Sequence, residues 1–561
     1  MKIFKTLLLC CLLPAVLLAA NNSTTKYWIS FTDKGPDSVN EQLAKANGLV
    51  TPRSLERRAK VFSSDKLVDY TDLPVYSGYV RQIREAGFEP VHYSRWLNAI
   101  SVRATGDDLS AITELPFVSS VQPVLTGTRT PVNTDQEVLN KTNKDSLTFD
   151  LNYGYSKGQL SQINLIKAHE AGYFGQNVLI AILDSGFKLE HHAFEQTRVL
   201  DTWDFINDDP VVDNEVDNND VYNQYYHGTQ VLSELGGYAP GELIGAAVDA
   251  EYLLAKTESI PLESIVEEDN WVAAAEWADS LGADIISTSV GYTDWYTPES
   301  LDGLTAPITR AVDLAVEKGI VVVTSAGNEG DKAWFYISVP ADAFNVISVG
   351  AVDLSGNIQA FSSRGPTADG RIKPEVVALG AGVYTVEPAT EGYLYSTGTS
   401  FACPLVAGAA ALILTAHPEL TPLQVREALI NTADRADDPN NEYGYGLVNT
   451  VKAINYWGEK IAQPISPLRV STYPNPFYPA KTGLVHIVFH LDRDSRVKIS
   501  IYNILGQKVA EPMNGTRPQG VNQEVLWNGR GNSGNRLPSG IYFCRVQTDY
   551  YDATHKLILL Q

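Results

Sequence analysis

Three hydrophobic rhythms follow one another along the chain. Between about residues 26 and 125, Lys26 to Phe31 and Phe117 to Val124 read as strands, and Trp96 to Val102 (WLNAISV) alternates with period two. Arg81 to Ala86, stopped by Gly87, and Asp107 to Glu114 read as helices. This mixed order predicts a small two-layer α+β domain. Between about 151 and 458 continuous apolar runs recur, at Val178 to Leu183, Tyr252 to Ala255, Ala283 to Ser289, Ile320 to Ser325 and Val346 to Val349. Helical stretches such as Trp271 to Leu281 and Ala306 to Lys318 lie between them. Strands apolar on both sides and alternating with helices predict an α/β domain: a doubly wound, mainly parallel sheet covered on both faces. From 471 to 561 short alternating strands are separated by turn clusters such as NGRGN (528–532), which predicts a C-terminal β-sandwich.

Polar stretches mark the joints. Residues 126–150, rich in Thr, Asn and Asp, and 459–470, with Pro464 and Pro467, are expected to be linkers. Residues 1–20 read as a signal peptide: Lys2 and Lys5 open it, Thr6 to Leu18 is nearly all apolar, and Ala19-Ala20 precede polar Asn21. The expected organisation is a signal (1–20), an α+β domain (21–125), a linker (126–150), an α/β domain (151–458), a linker (459–470) and a sandwich (471–561). No later segment reaches membrane-spanning length without a charge, Gly or Pro interruption, so no transmembrane segment is expected. A net charge of −23 argues against nucleic acid as a partner. Cys10 and Cys11 lie in the signal and Cys403 and Cys544 in different domains, so no disulfide framework is visible.

Four places in the middle domain offer chemistry. Asp184 ends the run VLIAIL and is followed by Ser185-Gly186; a carboxylate there could orient a histidine. His227-Gly228-Thr229 opens a helix. Ser325-Ala326-Gly327-Asn328 ends an apolar strand; the Asn amide could donate to an oxyanion and Gly327 could let a substrate come close. Ser400 opens an Ala- and Gly-rich helix, with Pro404 in its first turn, where backbone N–H groups face a developing anion. Singly, each has a structural explanation: a turn, a cap, an Asn-Gly type turn, a Ser N-cap. Together they occur in the order Asp, His, Asn, Ser within one α/β domain, the triad order known from subtilisin.

The runs AILDSGF, HGT, TSAGNEG and GTSFACPLVAGAAALI resemble the signatures of the subtilisin-like serine proteases over roughly residues 160 to 455. The resemblance implies Asp184, His227 and Ser400 as a catalytic triad, and Asn328 with the Ser400 N–H as the oxyanion hole. It also implies that Ser289, Val290, Gly291 and Gly327 border the substrate. Phe401 stands where methionine is common, and Leu405 and Gln230 where histidine is common. Residues 26–125 resemble inhibitory prodomains, through SRWLNAISV (94–102) and LPFVSSVQPV (115–124). The end of the chain resembles type IX secretion sorting domains, through YPNPF (473–477), ISIYNILGQKV (499–509), WNGRGNSGNRLPSGIYFCRV (527–546) and HKLILLQ (555–561). The implied partners are protein or peptide substrates, the chain's own prodomain and a secretion machinery, with the protein secreted or at the cell surface. No cofactor is required for the chemistry. The family allows structural calcium, and the acidic loop 207–220 is rich in oxygen ligands, but it lacks EF-hand spacing and reads first as a solvated loop. Two alternatives remain open at this point: an adhesion or binding protein on an inactive scaffold, and the Glu–Ser carboxyl-type relatives.

Overall fold

The computed structural model describes residues 25–560 except 46–47, 65, 125, 128–150, 216–222, 259–265, 294–295, 459–469, 480–482, 492–493, 519 and 550–551. The signal (1–20) and nearly all of both linkers therefore lie outside the described residues.

The middle of the chain is built on a seven-stranded sheet with every pairing parallel. Its order is Val376–Leu379, Ile347–Val352, Val321–Ser325, Ile285–Thr288, Leu179–Asp184, Glu251–Lys256, Arg198–Asp204. Leu179–Asp184 is buried at every position. Ile180 and Ile182 enter one core and Leu179, Ala181 and Leu183 the other, as the period of two in a strand requires. Helices Tyr226–Gly236 and Thr399–Ala416 cover the first face, and Glu268–Leu281 and Pro307–Glu317 the second. The chain winds from the central strand first to one side and then to the other, so the winding reverses beside Asp184. Ligands of doubly wound sheets sit at the carboxyl ends of strands at such a point.

Helix Thr399–Ala416 is apolar and long enough to cross a membrane, yet it is almost wholly buried. Its Gly408 lies on Ala246, where an added Cβ would stand 2.3 Å from the alanine Cβ. Small residues thus let this helix press into the core.

The N-terminal part is a four-stranded antiparallel sheet in the order Pro90–Ser94, Ala99–Ala104, Thr25–Phe31, Val118–Pro123. Ile29, Phe31, Ile100 and Val102 pack on the sheet's own helix Ser77–Glu85. Trp28, Ala99 and, from the adjoining turn, Trp96 join the core of the middle unit instead. Trp96 to Asn98, expected in a strand, form a turn: Asn98 is left-handed (φ 48°) and its amide donates to the carbonyls of Phe31 and Asp33. Thr126–Gly127, expected in a linker, pair antiparallel with Val266–Glu267 in a two-stranded ladder, since backbone groups pair whatever the polarity of their side chains.

The C-terminal part is the expected sandwich. A three-stranded sheet (Val470–Tyr473, Val485–Leu491, Gly520–Trp527) shares one apolar core with a four-stranded sheet (Lys508–Arg517, Ser495–Asn503, Gly540–Gln547, Asp552–Leu559).

Gly408→Ala is expected to lower stability by about 1–3 kcal/mol through overpacking, read from the thermal unfolding midpoint, while an alanine at Gly515, which has open space and no left-handed φ, leaves this helix contact untouched.

Candidate active site

Asp184 is fully buried at the end of the central strand, and its Oδ1 lies 2.7 Å from Nδ1 of His227. The same oxygen accepts the Ser185 N–H at 2.7 Å. An ionised carboxylate only accepts, so Nδ1 carries the hydrogen and Nε2 is the basic nitrogen. His227 sits in the first turn of Tyr226–Gly236. Gly228 permits the close approach: a Cβ there would stand 2.3 Å from the Gly186 carbonyl oxygen and 3.1 Å from the Asp184 Cβ.

Ser400 is the second residue of Thr399–Ala416, and Gly398 caps that helix. Pro404 lies inside the helix, beyond the first turn where it was expected, because the helix already begins at Thr399. Proline has no N–H, so the Ser400 carbonyl lacks its usual donor four residues on. The Ser289 hydroxyl donates to it instead, at 2.9 Å. In return the Ser400 Oγ lies 3.5 Å from the Ser289 carbonyl oxygen. The ring of Phe401 stands 5.5 Å from the His227 ring, so the imidazole borders the turn that carries Ser400.

The Asn328 Oδ1 accepts from the Thr399 N–H at 2.9 Å and from the Thr399 hydroxyl at 3.0 Å. This fixes the amide: its oxygen is held by Thr399 and Nδ2 is the donor turned away. Gly327 is left-handed (φ 108°), and a Cβ there would meet the Ser338 and Ser363 hydroxyls at 2.8 and 2.9 Å. Ser289 to Gly291 continue past the last ladder residue, Thr288, and Val290 turns its side chain into the core. Thr399, which orients Asn328, was not singled out from the sequence. A hydroxyl residue directly before the Ser400 position was the available signal.

Gln230 donates to the hydroxyl of Ser396 at 2.9 Å and so ties the histidine helix to the hairpin Ala381–Val386/Tyr393–Thr397. The Cys403 thiol is buried and pushed up to about 12 by desolvation.

Among the described residues, two groups of side chains could in principle ligate a metal. Asp204, at the end of its strand, and Asp209 and Glu215, from the acidic loop, bring carboxylate oxygens within 4.8 Å of one another. The ammonium of Lys256 already lies 2.7 Å from Asp204, both side chains fully buried. The Asn207 amide also donates to Asp204 and Glu215, at 3.1 and 3.0 Å. Among the described residues, donors rather than further acceptors face Asp204 and Glu215, so these three carboxylates by themselves do not fit a calcium ion. In the group His191, His192 and Glu391, both ring nitrogens of His191 are engaged, by the Ala193 N–H and the Gly392 carbonyl, and those of His192 by Glu391 and Tyr393.

Glu234, two turns beyond His227, is wholly buried, and neither carboxylate oxygen meets a donor among the described residues. Desolvation raises its pKa well above the ordinary 4.5. A raised acid favours the folded state below its unfolded value, and that contribution is lost as pH climbs toward the folded value. Glu234→Gln is therefore expected to match the parent in acid and to exceed it by about 1–3 kcal/mol near pH 8, measured by denaturant unfolding across pH.

Residues 175–446 match the Subtilase family, 26–142 the Peptidase S8 propeptide domain of Bacteroidota, and 471–560 the secretion system C-terminal sorting domain. The chain is 35% identical over 304 residues to subtilisin DY of Bacillus licheniformis, covering 52% of this chain and 97% of that protein. It is 33% identical over 298 residues to subtilisin E of Bacillus subtilis (strain 168), covering 52% and 70%. With serine protease AprX of the same organism the identity is 31% over 310 residues, covering 50% and 66%. The chain belongs to the subtilase family, its middle part a subtilisin-like serine endopeptidase unit between a propeptide domain and a C-terminal sorting domain.

Proposed function

We propose that the chain is a secreted or surface-exposed precursor which, freed of its propeptide, hydrolyses peptide bonds in proteins through Ser400, His227 and Asp184. The carrying observation is the buried 2.7 Å contact of Asp184 with His227 at the carboxyl end of the central strand, beside the helix start that bears Ser400.

Ser400 Oγ attacks the peptide carbonyl while Nε2 of His227 takes its proton. Asp184 stabilises the resulting imidazolium and holds its tautomer. The carbonyl oxygen becomes an oxyanion that accepts from Asn328 Nδ2 and the Ser400 N–H. Collapse breaks the C–N bond, and His227 returns the proton to the departing amine. Water, deprotonated by the same imidazole, then releases the acyl group from Ser400. No metal or cofactor takes part in this sequence. The substrate lies extended along Ser289 to Gly291 and is held by main-chain hydrogen bonds, since Val290 is committed to the core. The antiparallel pairing of Thr126–Gly127 with Val266–Glu267 supports the reading that the propeptide's tail stays bound against the catalytic unit until it is cut within 126–150.

A fluorophosphonate probe is expected to label the processed protein at Ser400, identified by peptide mapping, and to leave a Ser400→Ala chain unlabelled and uncut. Absence of label on processed wild type overturns the reading in favour of an inactive scaffold. Asn328→Ala is expected to lower kcat by roughly 10²–10³ with little change in KM, measured on a peptide substrate.

A further inference from the structure

The helix Pro52–Arg58 reaches the end of the catalytic sheet opposite the triad. Arg53 binds Glu251 at 2.8 Å, Asp284 at 3.1 Å and the Asn177 carbonyl at 3.0 Å. These residues lie where strands Leu179–Asp184, Glu251–Lys256 and Ile285–Thr288 begin. A strand of this length separates them from Asp184 by about 17 Å.

Arg57 is buried in a cradle made of acceptors. Its guanidinium donates to the Ala283 carbonyl at 2.7 Å, to the Lys318 carbonyl at 3.2 Å and to the Asp279 carboxylate. The carbonyls lie just past the C-terminal ends of Glu268–Leu281 and Pro307–Glu317, where helix dipoles favour a cation. Gly282 and Gly319, both left-handed (φ 94°), end those helices; a Cβ at 282 would stand 2.8 Å from the Arg53 side chain, and one at 319 would stand 3.3 Å from Arg57. The fully buried Asp279 also receives Arg58 at 2.6 Å and Arg95 at 3.2 Å. One catalytic-unit carboxylate therefore meets three arginines of the propeptide.

We propose that the mature enzyme carries a guanidinium-binding exosite centred on Asp279, filled by Arg57 in the precursor, and that this contact governs how long the cut propeptide stays bound. The proposal rests on the protease reading. It adds to it a second binding site, remote from the cleft, for arginine presented on a helix. A planar fork that spans two carbonyls and a carboxylate is a task for arginine and not for lysine.

The test uses the full chain. Wild type, Arg57→Gln and Arg57→Lys are followed for the first cut on gels and for emergence of activity on a peptide substrate. Both variants are expected to be cut at the wild-type rate and to release activity at least tenfold faster, Arg57→Gln more so than Arg57→Lys. Release at the wild-type rate overturns the proposal. If neither variant accumulates as folded protein, a synthetic peptide of residues 49–62 is added to the cut wild-type complex. It is expected to speed the release of activity at least threefold, whereas the same peptide with Arg57→Gln has no effect. Equal effects of the two peptides, or none from either, overturn the proposal. A wild-type chain that is neither cut nor active removes the protease reading, and the exosite's role in release with it. An active wild type with unaltered release in the variants removes only the exosite.

Discussion

A carboxylate placed at the end of a strand buried on both faces has no water to solvate it, so the surrounding structure must supply its partner. This constraint on Asp184 organises the rest of the site. It draws the first turn of Tyr226–Gly236 against the Asp184–Gly186 turn, which only a glycine at 228 permits. It fixes the imidazole tautomer and leaves the basic nitrogen for the serine side of the cleft. The neighbouring helix then has to be held at a set depth, and the Ser289–Ser400 bond does so by using the carbonyl that Pro404 leaves without its helical donor. A helix interruption that costs stability elsewhere is here converted into a bond between the substrate-bordering run and the nucleophile's residue.

The same economy of acceptors organises the contact with the propeptide. Asp269, Glu276 and Asp279 lie along Glu268–Leu281. Asp269 meets Lys26 at 3.0 Å, Glu276 meets the Ser94 hydroxyl at 2.6 Å, and Asp279 meets the arginine cluster. Each carboxylate is buried with a propeptide side chain against it. Removing one partner of a buried pair costs about 3–5 kcal/mol, so the two units recognise each other by matched charges in addition to the apolar contact of Trp28 and Trp96.

Much of this was legible in the sequence because the relevant signals are local. A buried apolar run ending in Asp-Ser-Gly, or a serine opening an Ala-rich helix, is readable without knowing what packs against it. The parallel sheet followed from five such runs. Two of its strands escaped notice for physical reasons. Arg198–Asp204 is an edge strand, half exposed and mixed in polarity, and Val376–Leu379 directly follows the charged, proline-containing run RIKPE (371–375), which reads as a loop. Lys508–Arg517 was missed as another charged edge. The orientation of the Asn328 amide depends on Thr399, 71 residues away, and the arginine cradle on carbonyls more than 200 residues from Arg57. Neither leaves a periodic trace, although four acidic residues on one largely apolar helix are a clue that something basic covers it.

Cys403 stands one helical turn from Ser400, close enough for modification of its sulfur to disturb the nucleophile. Burial pushes its thiol up to about 12, so the reactive thiolate is scarce at neutral pH. Reagents that act on the thiolate would therefore react slowly at this buried sulfur. An exported enzyme built in this way needs neither a disulfide nor a reductant to keep its sulfur harmless.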